Sequence, residues 1–428
     1  MMISQLVFML LLLCGIFLFT RKVRQIRKNI LLGREESRND HRALRRKNLF
    51  LLAFGQKKMF RNPLVAGMHF IIYAGFIIIN IEVLEIVLDG ILGTHRLFQK
   101  PMGMTYHWLI NSFEFLAVGV IAVCVVFLIR RNILRIKRFT SRDLDGWPRS
   151  DANYILIAEI ILMSLFLVMN ATDPTVSFFI SSGLHPLFNH LAPQSLERVE
   201  KGCWWLHIAG IFAFLNYLPY SKHFHIILAF PNAYYANLAP PGKMKNMPEV
   251  RREVLYAMEP GQNPEVAPET QEAPHFGARD IFDLSWKNLL DAYSCTECGR
   301  CTAACPANNT GKLLSPRTIM MQTRDRTEAV GEIIRKNGVF KDDGRALLGD
   351  YIREEELRAC TTCNACVEEC PVSISPLDII LQLRRYLIME QSAAPPEWNT
   401  MFGNIENNFA PWKFSPDDRD QWTGPAGS

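Results

Sequence analysis

The spacing of Cys295-Thr-Glu-Cys298-Gly-Arg-Cys301-Thr-Ala-Ala-Cys305-Pro306 returns, after 53 intervening residues, as Cys360-Thr-Thr-Cys363-Asn-Ala-Cys366-Val-Glu-Glu-Cys370-Pro371. Eight of the eleven cysteines of the chain lie in these two runs. The tight C-x2-C-x2-C turn lets three thiols converge on one side of the backbone. The proline that follows the fourth cysteine ends the turn without needing an N–H partner. This spacing indicates metal ligands.

The spacing C-x2-C-x2-C-x3-C-P is typical of bacterial iron–sulfur modules with two [4Fe–4S] clusters, in which the fourth cysteine of each run ligates the other cluster. Zinc is the rival interpretation, but zinc sites usually take pairs of ligands from separated knuckles. Disulfides are disfavoured because the loop charges described below predict a reducing compartment for this module. The predicted ligands are Cys295, Cys298, Cys301 and Cys370 for the first cluster, and Cys360, Cys363, Cys366 and Cys305 for the second.

The 428 residues allow two to three domains, and their composition differs between two halves. Long apolar runs fill residues 1–235, whereas residues 240–428 have the composition of a soluble protein. The net charge of +5 is small and unevenly spread, so we predict membrane topology rather than nucleic-acid binding as its meaning. We also find no dinucleotide-binding, Walker or Ser/His/Asp arrangement.

Five apolar segments are long enough, or nearly so, to cross a hydrocarbon core about 30 Å thick. The first lacks a basic leading region and a clear cleavage site, so we interpret it as a retained anchor. The predicted fold is mainly α, with a five-helix transmembrane bundle in residues 1–235 and an α-helical two-cluster domain in residues 281–390. The predicted spans are residues 3–19, 63–88, 107–129, 152–171 and 203–220.

Loop charge predicts the orientation of the bundle, because basic loops stay in the cytoplasm. The loop at residues 21–62 carries fourteen Lys or Arg against three acids, and the loop at 130–151 carries seven. The loops at 89–106 and 172–202 carry only two each. We therefore expect a multi-pass protein of the cytoplasmic membrane, surrounded by lipid, with its N-terminus outside and its cysteine runs on the cytoplasmic side.

The remaining segments are predicted from local composition. Residues 236–280 are predicted to be a linker, because seven prolines fall between positions 239 and 276. Helices are expected from about Leu313 to Arg358, and Ser375 is expected to cap a helix from Leu377 to Met389. Residues 391–428 hold too little periodic apolar content for a domain, so we predict an extended tail that docks on another subunit.

Histidines at matching depth on different membrane helices are what bis-histidine haem b needs. An inner haem would pair His69 with His225, and His223 is the alternative ligand. His207 lies 18 residues before His225, about 27 Å along one helix if Pro219 does not break it, so these two cannot serve one haem. An outer haem would use His207 with His107. The alternative is that these are interfacial histidines making hydrogen bonds.

The membrane half resembles cytochrome b subunits of the respiratory nitrate reductase gamma and heterodisulfide reductase type. The resemblance rests on His69, on Trp205-Leu-His207 and on Pro219-Tyr-Ser-Lys-His-Phe-His225. The soluble half resembles the iron–sulfur domain of heterodisulfide reductases and of electron-transfer-flavoprotein:menaquinone oxidoreductases. This resemblance implies one or two haems b, a respiratory electron-transport role and a quinone substrate, menaquinone in particular.

Two departures qualify that resemblance. The gamma-type pattern has a second histidine further along the second span, but Gly75 to Ile79 contain none, so the outer haem lacks this ligand or uses His107. The chain also lacks the Cys-Cys-Gly repeats of the heterodisulfide reductase catalytic part. We therefore expect a separate cytoplasmic redox subunit, either a Cys-Cys-Gly-type iron–sulfur protein or a flavin protein.

Carboxylates inside the predicted spans are the candidates for proton transfer, because quinone chemistry moves protons together with electrons. They are Glu82, Glu114 and Glu159. The main prediction is a membrane electron-transfer subunit of a quinone-linked oxidoreductase, carrying two [4Fe–4S] clusters and haem b. The alternative is a membrane-anchored ferredoxin or assembly platform that passes electrons between soluble partners without quinone chemistry.

Overall fold

The computed structural model describes residues 2–176, 178–240, 242–259, 276–413, 415–418 and 420–424. The protein is 72% helical, and this part of the chain contains no strand, which confirms the prediction of a mainly α fold. The helices of seven or more residues are α1 (Met2–Ile30), α2 (Arg42–Asn48), α3 (Pro63–Leu92), α4 (Met104–Leu128), α5 (Trp147–Thr172), α6 (Pro193–Tyr217), α7 (His225–Tyr234), α8 (Pro248–Met258), α9 (Trp286–Ser294), α10 (Pro316–Asn337), α11 (Pro376–Met389) and α12 (Pro396–Asn408).

Four helices of the described chain have the length and apolar composition of a membrane span. They are Ile3–Ile30, Pro63–Leu92, Met104–Ile133 and Trp147–Thr172. Helix α6 packs between α1 and α5, and the contacts of α1 with α3, α3 with α4 and α4 with α5 close a ring of five helices. The first ten residues of α6 are mostly polar, so its apolar part, residues 203–217, spans only about 22 Å. The fifth span therefore stays a prediction.

The ring of helices has an apolar interior and an apolar outer surface. Phe8, Ile110, Phe166 and Ile208 are buried in one cluster at its centre. On α1 the large side chains on the other side, such as Phe17, are exposed. A helix that is apolar all round is what a membrane span requires, because one face meets its neighbours and the other meets lipid.

The chain does not continue as one helix past Pro219. Helix α6 ends at Tyr217, residues 218–220 and 222–224 form two short 3-10 turns, and α7 begins at His225. Proline has no N–H for the helical hydrogen bond, so a helix break next to Pro219 agrees with the sequence. His207 and His225 would share one helix face only if the helix continued past Pro219, and it does not.

Helix α1 runs eleven residues beyond the predicted end of its span, to Ile30. There Ile26 and Ile30 pack with Leu290 and Tyr293 of the cysteine-containing domain. The Arg34 backbone adds two hydrogen bonds to that domain, from its N–H to Leu284 O at 2.7 Å and to its O from the Trp286 N–H at 3.0 Å. The end of the first membrane helix therefore holds the two halves of the protein together.

The domain at residues 276–393 has its own apolar core, formed by α9, α10 and α11 around the cysteine runs. The Ser375 hydroxyl accepts a hydrogen bond from the Asp378 N–H at the start of α11, which confirms the predicted cap. In the predicted linker, Pro248–Met258 is helical. The linker prolines 260, 264, 268 and 274 lie outside the described residues.

The prediction of an extended tail is wrong for residues 396–408, which form α12. Large apolar side chains recur there at helical spacing and are exposed, and the sequence argument overlooked this periodicity. They are Trp398, Phe402 and Ile405, and the exposed Phe409 and Trp412 follow the end of the helix.

Candidate metal centres

The two cysteine runs have the same backbone conformation at equivalent positions. Glu297 and Thr362, each two residues after the first cysteine, have φ of 55° and 57°. Gly299 and Asn364, each directly after the second cysteine, have φ of 71° and 62°. A short helix follows in each run, Arg300–Ala303 and Ala365–Glu369. Left-handed conformations in residues other than glycine cost energy and persist where the surroundings impose them, which is what a turn of converging ligands does.

The structure brings the thiols together in the crossed arrangement. One cavity is bordered by Cys295, Cys298, Cys301 and Cys370. Cys366 also borders this cavity. Its thiol interacts electrostatically with Cys360, Cys363 and Cys305, which together with Cys366 form the second group. Two groups of four thiols suit two [4Fe–4S] clusters.

The chemistry of these thiols favours a bound metal. Burial raises the pKa of the Cys295 thiol to about 12 and that of the Cys370 thiol to about 11. Neutral thiols would therefore face one another unless a cation stabilises the thiolates. Backbone N–H groups point at the sulfurs, from Thr362 to Cys360 Sγ at 3.4 Å and from Ile374 to Cys370 Sγ at 3.3 Å. Such hydrogen bonds tune the reduction potential of a cluster.

The two groups differ in their surroundings. Cys295 is buried at 8% exposure and lies on the side that faces the membrane half, whereas Cys363 is exposed. A Cβ atom added to Gly299, between Cys298 and Cys301, would lie 3.3 Å from Arg138 O of the loop between α4 and α5. The first group therefore adjoins the membrane half, and the second group has a cysteine open to a partner.

A charged cluster joins the first group to the turn that carries two of the candidate haem ligands. Glu297 accepts hydrogen bonds from Lys222 at 2.5 Å and from Arg324 at 2.9 Å. Burial alone would raise the pKa of Glu297, but the two cations outweigh it and hold that pKa below its usual range. The carboxylate therefore stays ionised between Cys295 and Cys298.

A second ion pair anchors the same domain to the loop between α4 and α5. Arg317 is 1% exposed, and its Nη2 lies 2.6 and 2.7 Å from the two carboxylate oxygens of Asp143. Its Nη1 donates to Arg138 O at 2.8 Å. This bidentate arrangement orients the first cysteine group against the membrane half.

Three of the predicted haem ligands have one ring nitrogen already engaged. The Nδ1 atoms of His69, His207 and His225 lie 3.0 Å from Gln56 Oε1, Leu162 O and Lys222 O respectively. If each Nδ1 donates its hydrogen, Nε2 is left as the ligand atom, and a metal-binding histidine is usually oriented in this way.

The structure brings three of the histidines together at the inner side. The ring centroids of His223 and His225 are 5.5 Å apart, and His69 is near enough to interact electrostatically with His225 and with Arg300 beside Cys301. His207 lies apart from them, packed against Phe166. These surroundings fit an inner haem with axial ligands His69 and His225.

His107 lacks a comparable arrangement. Its ring packs edge-on against Phe179 at 5.5 Å, and its Nδ1 lies 3.5 Å from Asn111 Nδ2. His223 and His225 lie side by side, but no described histidine lies beside His207 in this way. An outer haem would therefore have one oriented candidate ligand, His207, and no second one among the described histidines.

The three candidate carboxylates occupy different environments. Glu114 accepts hydrogen bonds from Asn170, the Ile180 N–H and Ser181, so it holds the loop after α5. Glu82 is 2% exposed and its Oε2 has no hydrogen-bond partner in the described structure. Glu159 is half-buried on α5. Among the three, Glu82 is the carboxylate with a buried oxygen that has no hydrogen-bond partner in the described part of the chain.

Sequence reasoning missed the ion network where α3 and α5 end. Arg96 is buried and donates from Nε to Asp173 Oδ2 at 2.8 Å and from Nη2 to Asn170 Oδ1 at 2.9 Å. Its Nη1 lies 3.9 Å from Glu82 Oε1. His95 also approaches Asp173, at 3.4 Å. The only signal in the sequence was Arg96 itself, in a loop of low charge. Composition alone cannot distinguish such a residue from a solvated arginine.

Comparison with known proteins agrees with the cysteine geometry. Residues 294–374 match the family model of the 4Fe-4S dicluster domain. The chain is 25% identical to the "Probable iron-sulfur-binding oxidoreductase FadF" of Bacillus subtilis, over 99% of this chain and 61% of that protein. It is 26% identical to the "EtfAB:quinone oxidoreductase" of Syntrophomonas wolfei, over 93% of this chain and 56% of that protein.

A third relative, the "Probable membrane-anchored ferredoxin" of Chromohalobacter salexigens, is 33% identical over 35% of this chain and 24% of that protein. No solved structure matches the chain significantly. The chain spans about six tenths of the length of the first two relatives. Its relatives are iron–sulfur redox proteins, and the chain shares with them a 4Fe-4S dicluster domain.

Proposed function

We propose that this chain is a membrane electron-transfer subunit of a quinone-linked oxidoreductase. Electrons would pass between a cytoplasmic redox partner, two [4Fe–4S] clusters, haem b and a quinone, menaquinone in particular. The observation that carries the proposal is the contact of the first cysteine group, through Glu297 and Lys222, with the turn that bears His223 and His225. A redox centre in the soluble domain and one in the membrane would then be neighbours.

The residues of the chain divide this work among them. The two cysteine groups would hold the clusters, and the Nε2 atoms of His69 and His225 would hold an inner haem. When bound, these groups supply one-electron transfer. The chain contributes burial, N–H groups directed at sulfur and oriented imidazoles. Glu82, with its free buried oxygen, is proposed to exchange the proton that accompanies quinone reduction or quinol oxidation.

We further propose five spans, an outer N-terminus and a cytoplasmic iron–sulfur domain. The basic loops support this orientation, since the ion pairs Arg61–Glu369 and Arg317–Asp143 join two of those loops to the cysteine domain. The partner is proposed to be a separate iron–sulfur or flavin subunit that reaches the second cluster at the exposed Cys363.

The test is anaerobic purification of the full chain from membranes, followed by reduced-minus-oxidised absorption spectra and a count of haem and iron per chain. We expect a haem b spectrum, about eight iron atoms in clusters, and reduction of the haem by a menaquinol analogue. Purified protein with both clusters but without haem would contradict the proposal.

A second candidate function is a membrane-anchored ferredoxin without quinone chemistry. The exposed Cys363 and the similarity to a protein of that name favour it. It predicts clusters that exchange electrons with soluble carriers, and haem that is absent or unreactive towards quinols. The same purified protein therefore decides between the two.

A further inference from the structure

Lys222 contacts both of the candidate redox sites at once. Its ammonium Nζ lies 2.5 Å from Glu297 Oε2 and donates to Pro148 O at 2.5 Å. Its backbone oxygen lies 3.0 Å from Nδ1 of His225. Only 11% of the Lys222 side chain and 4% of the Glu297 side chain are exposed. One residue therefore joins the soluble cysteine domain to the imidazole of a candidate haem ligand.

The other end of this link lies inside the first cysteine run. Glu297 has φ of 55° and separates Cys295 from Cys298, and its backbone N–H bonds to the Cys295 sulfur. Thr362, the equivalent residue of the second run, has no charge. The two runs are otherwise alike in backbone, so a carboxylate and its lysine distinguish the surroundings of the first cluster from those of the second.

We propose that Lys222 is a positioning residue that couples the first cluster to the inner haem ligand. Its ammonium charge offsets that of Glu297 beside the cluster, and its anchored backbone oxygen orients the His225 ring. The part of this proposal that concerns the haem rests on the proposed function. In a buried site an uncompensated charge acts strongly on a neighbouring centre, so the charge balance here should set the potential of the first cluster.

Two variants change that balance in opposite directions. Lys222→Met leaves the Glu297 carboxylate with one cation fewer, so the first cluster should become harder to reduce and its midpoint potential should shift negative. Glu297→Gln removes the negative charge and keeps the shape, so the potential should shift positive. The measurement is an EPR-monitored redox titration of both clusters in the full-length membrane protein. The second cluster should not shift in either variant.

The matched control is Lys245→Met. Lys245 also bridges two acids, lying 2.7 Å from Asp378 and 3.3 Å from Glu36, and among the described residues no hydrogen bond or ion pair joins its side chain to a cysteine run or to a candidate haem ligand. It should leave both cluster potentials unchanged. Shifts of the same sign in Lys222→Met and Glu297→Gln, or no shift in either, would overturn the proposal. If Lys222→Met fails to assemble, the sign of the Glu297→Gln shift still decides.

The haem half has its own readout, the low-spin EPR signal of haem b, which responds to the orientation of the axial imidazoles. Lys222→Met should broaden or shift that signal, because the turn at residues 222–224 loses its anchor to Pro148 and Glu297. Lys245→Met should not. An unaltered haem signal in Lys222→Met would refute the coupling. Wild-type protein with no haem would refute the proposed function instead, and the cluster titration would still test the charge effect.

Discussion

Replacing Asp143 with asparagine should loosen the cysteine domain from the loop between the third and fourth membrane helices. Arg317 is almost fully buried, and Asp143 is the carboxylate that neutralises it, with 18% of its side chain exposed. Asparagine has nearly the same shape but no charge. The guanidinium would then remain buried against Ser141, the Arg138 backbone and one amide oxygen.

The expected cost follows from what is lost. Leaving a buried charge entirely unpaired costs about 3–5 kcal/mol. Asparagine keeps one acceptor, so we expect the lower cost of losing a hydrogen bond to a charged group, about 2–3 kcal/mol. That corresponds to a rise of roughly 30- to 150-fold in the opening equilibrium of the contact.

Hydrogen exchange of the backbone amides in residues 137–146 measures this opening. The N–H groups of Phe139, Leu144 and Asp145 make hydrogen bonds within the loop at 2.8 to 3.0 Å and should lose protection together. The control is Asp145→Asn, because Asp145 is exposed and, among the described residues, forms an ion pair only with Arg149 on the same stretch. A surface pair is worth at most about 1 kcal/mol. Equal effects of the two substitutions, or none for Asp143→Asn, would refute the reasoning.

Three further predictions concern the clusters, the inner haem and pH. Cys370→Ser should abolish the same cluster EPR signal as Cys298→Ser, whereas Cys305→Ser should abolish the other; loss of one signal by Cys298→Ser and Cys305→Ser alike would contradict the crossed assignment. His225→Ala should remove the inner haem b spectrum and His223→Ala should keep it, because Nδ1 of His225 is held by the Lys222 backbone; the opposite result would make His223 the ligand. Burial alone would raise the pKa of Asp143, but Arg317 outweighs it and lowers that pKa. The ion pair with Arg317 therefore contributes its full stability above the ordinary Asp pKa of about 4. That contribution is lost as pH falls through the lower pKa that Asp143 has in the folded protein. The opening equilibrium at residues 137–146, obtained from hydrogen exchange after correction for the intrinsic exchange rate at each pH, should therefore rise below about pH 4 in the wild type, and a flat profile there would contradict this assignment.

Much of the candidate site was predictable because its signals are local. Four cysteines in eleven residues restrict the chemistry before any fold is known, and Ser375 before an apolar helix marks a cap whatever packs on it. The residues that join the halves carried no such signal. Arg317 and Asp143 lie 174 positions apart, and each alone looks like an ordinary surface charge.

Local pattern misjudged one segment and left a second one open. The aromatic residues of the tail follow helical spacing in α12, although prolines and polar residues around them suggested an extended chain. Pro219 was compatible with either a kinked or an interrupted helix. In the structure the helix is interrupted, and Leu218 and Phe224 on either side of the break pack against α1 and the cysteine domain. Tertiary contacts of this kind outweigh local propensity because they bury more apolar surface than one more helical turn would.

By itself the sequence determined the ligand types and the membrane-length helices, because cysteine spacing and hydrophobic length act over short distances along the chain. Only the tertiary structure decided which ion pairs join the two halves, and which of the candidate carboxylates keeps an oxygen without a partner among the described residues. Glu114 and Glu82 look alike in sequence, yet one holds a loop and the other does not. Those differences depend on groups distant in the chain, and burial makes each of them costly to leave unpaired.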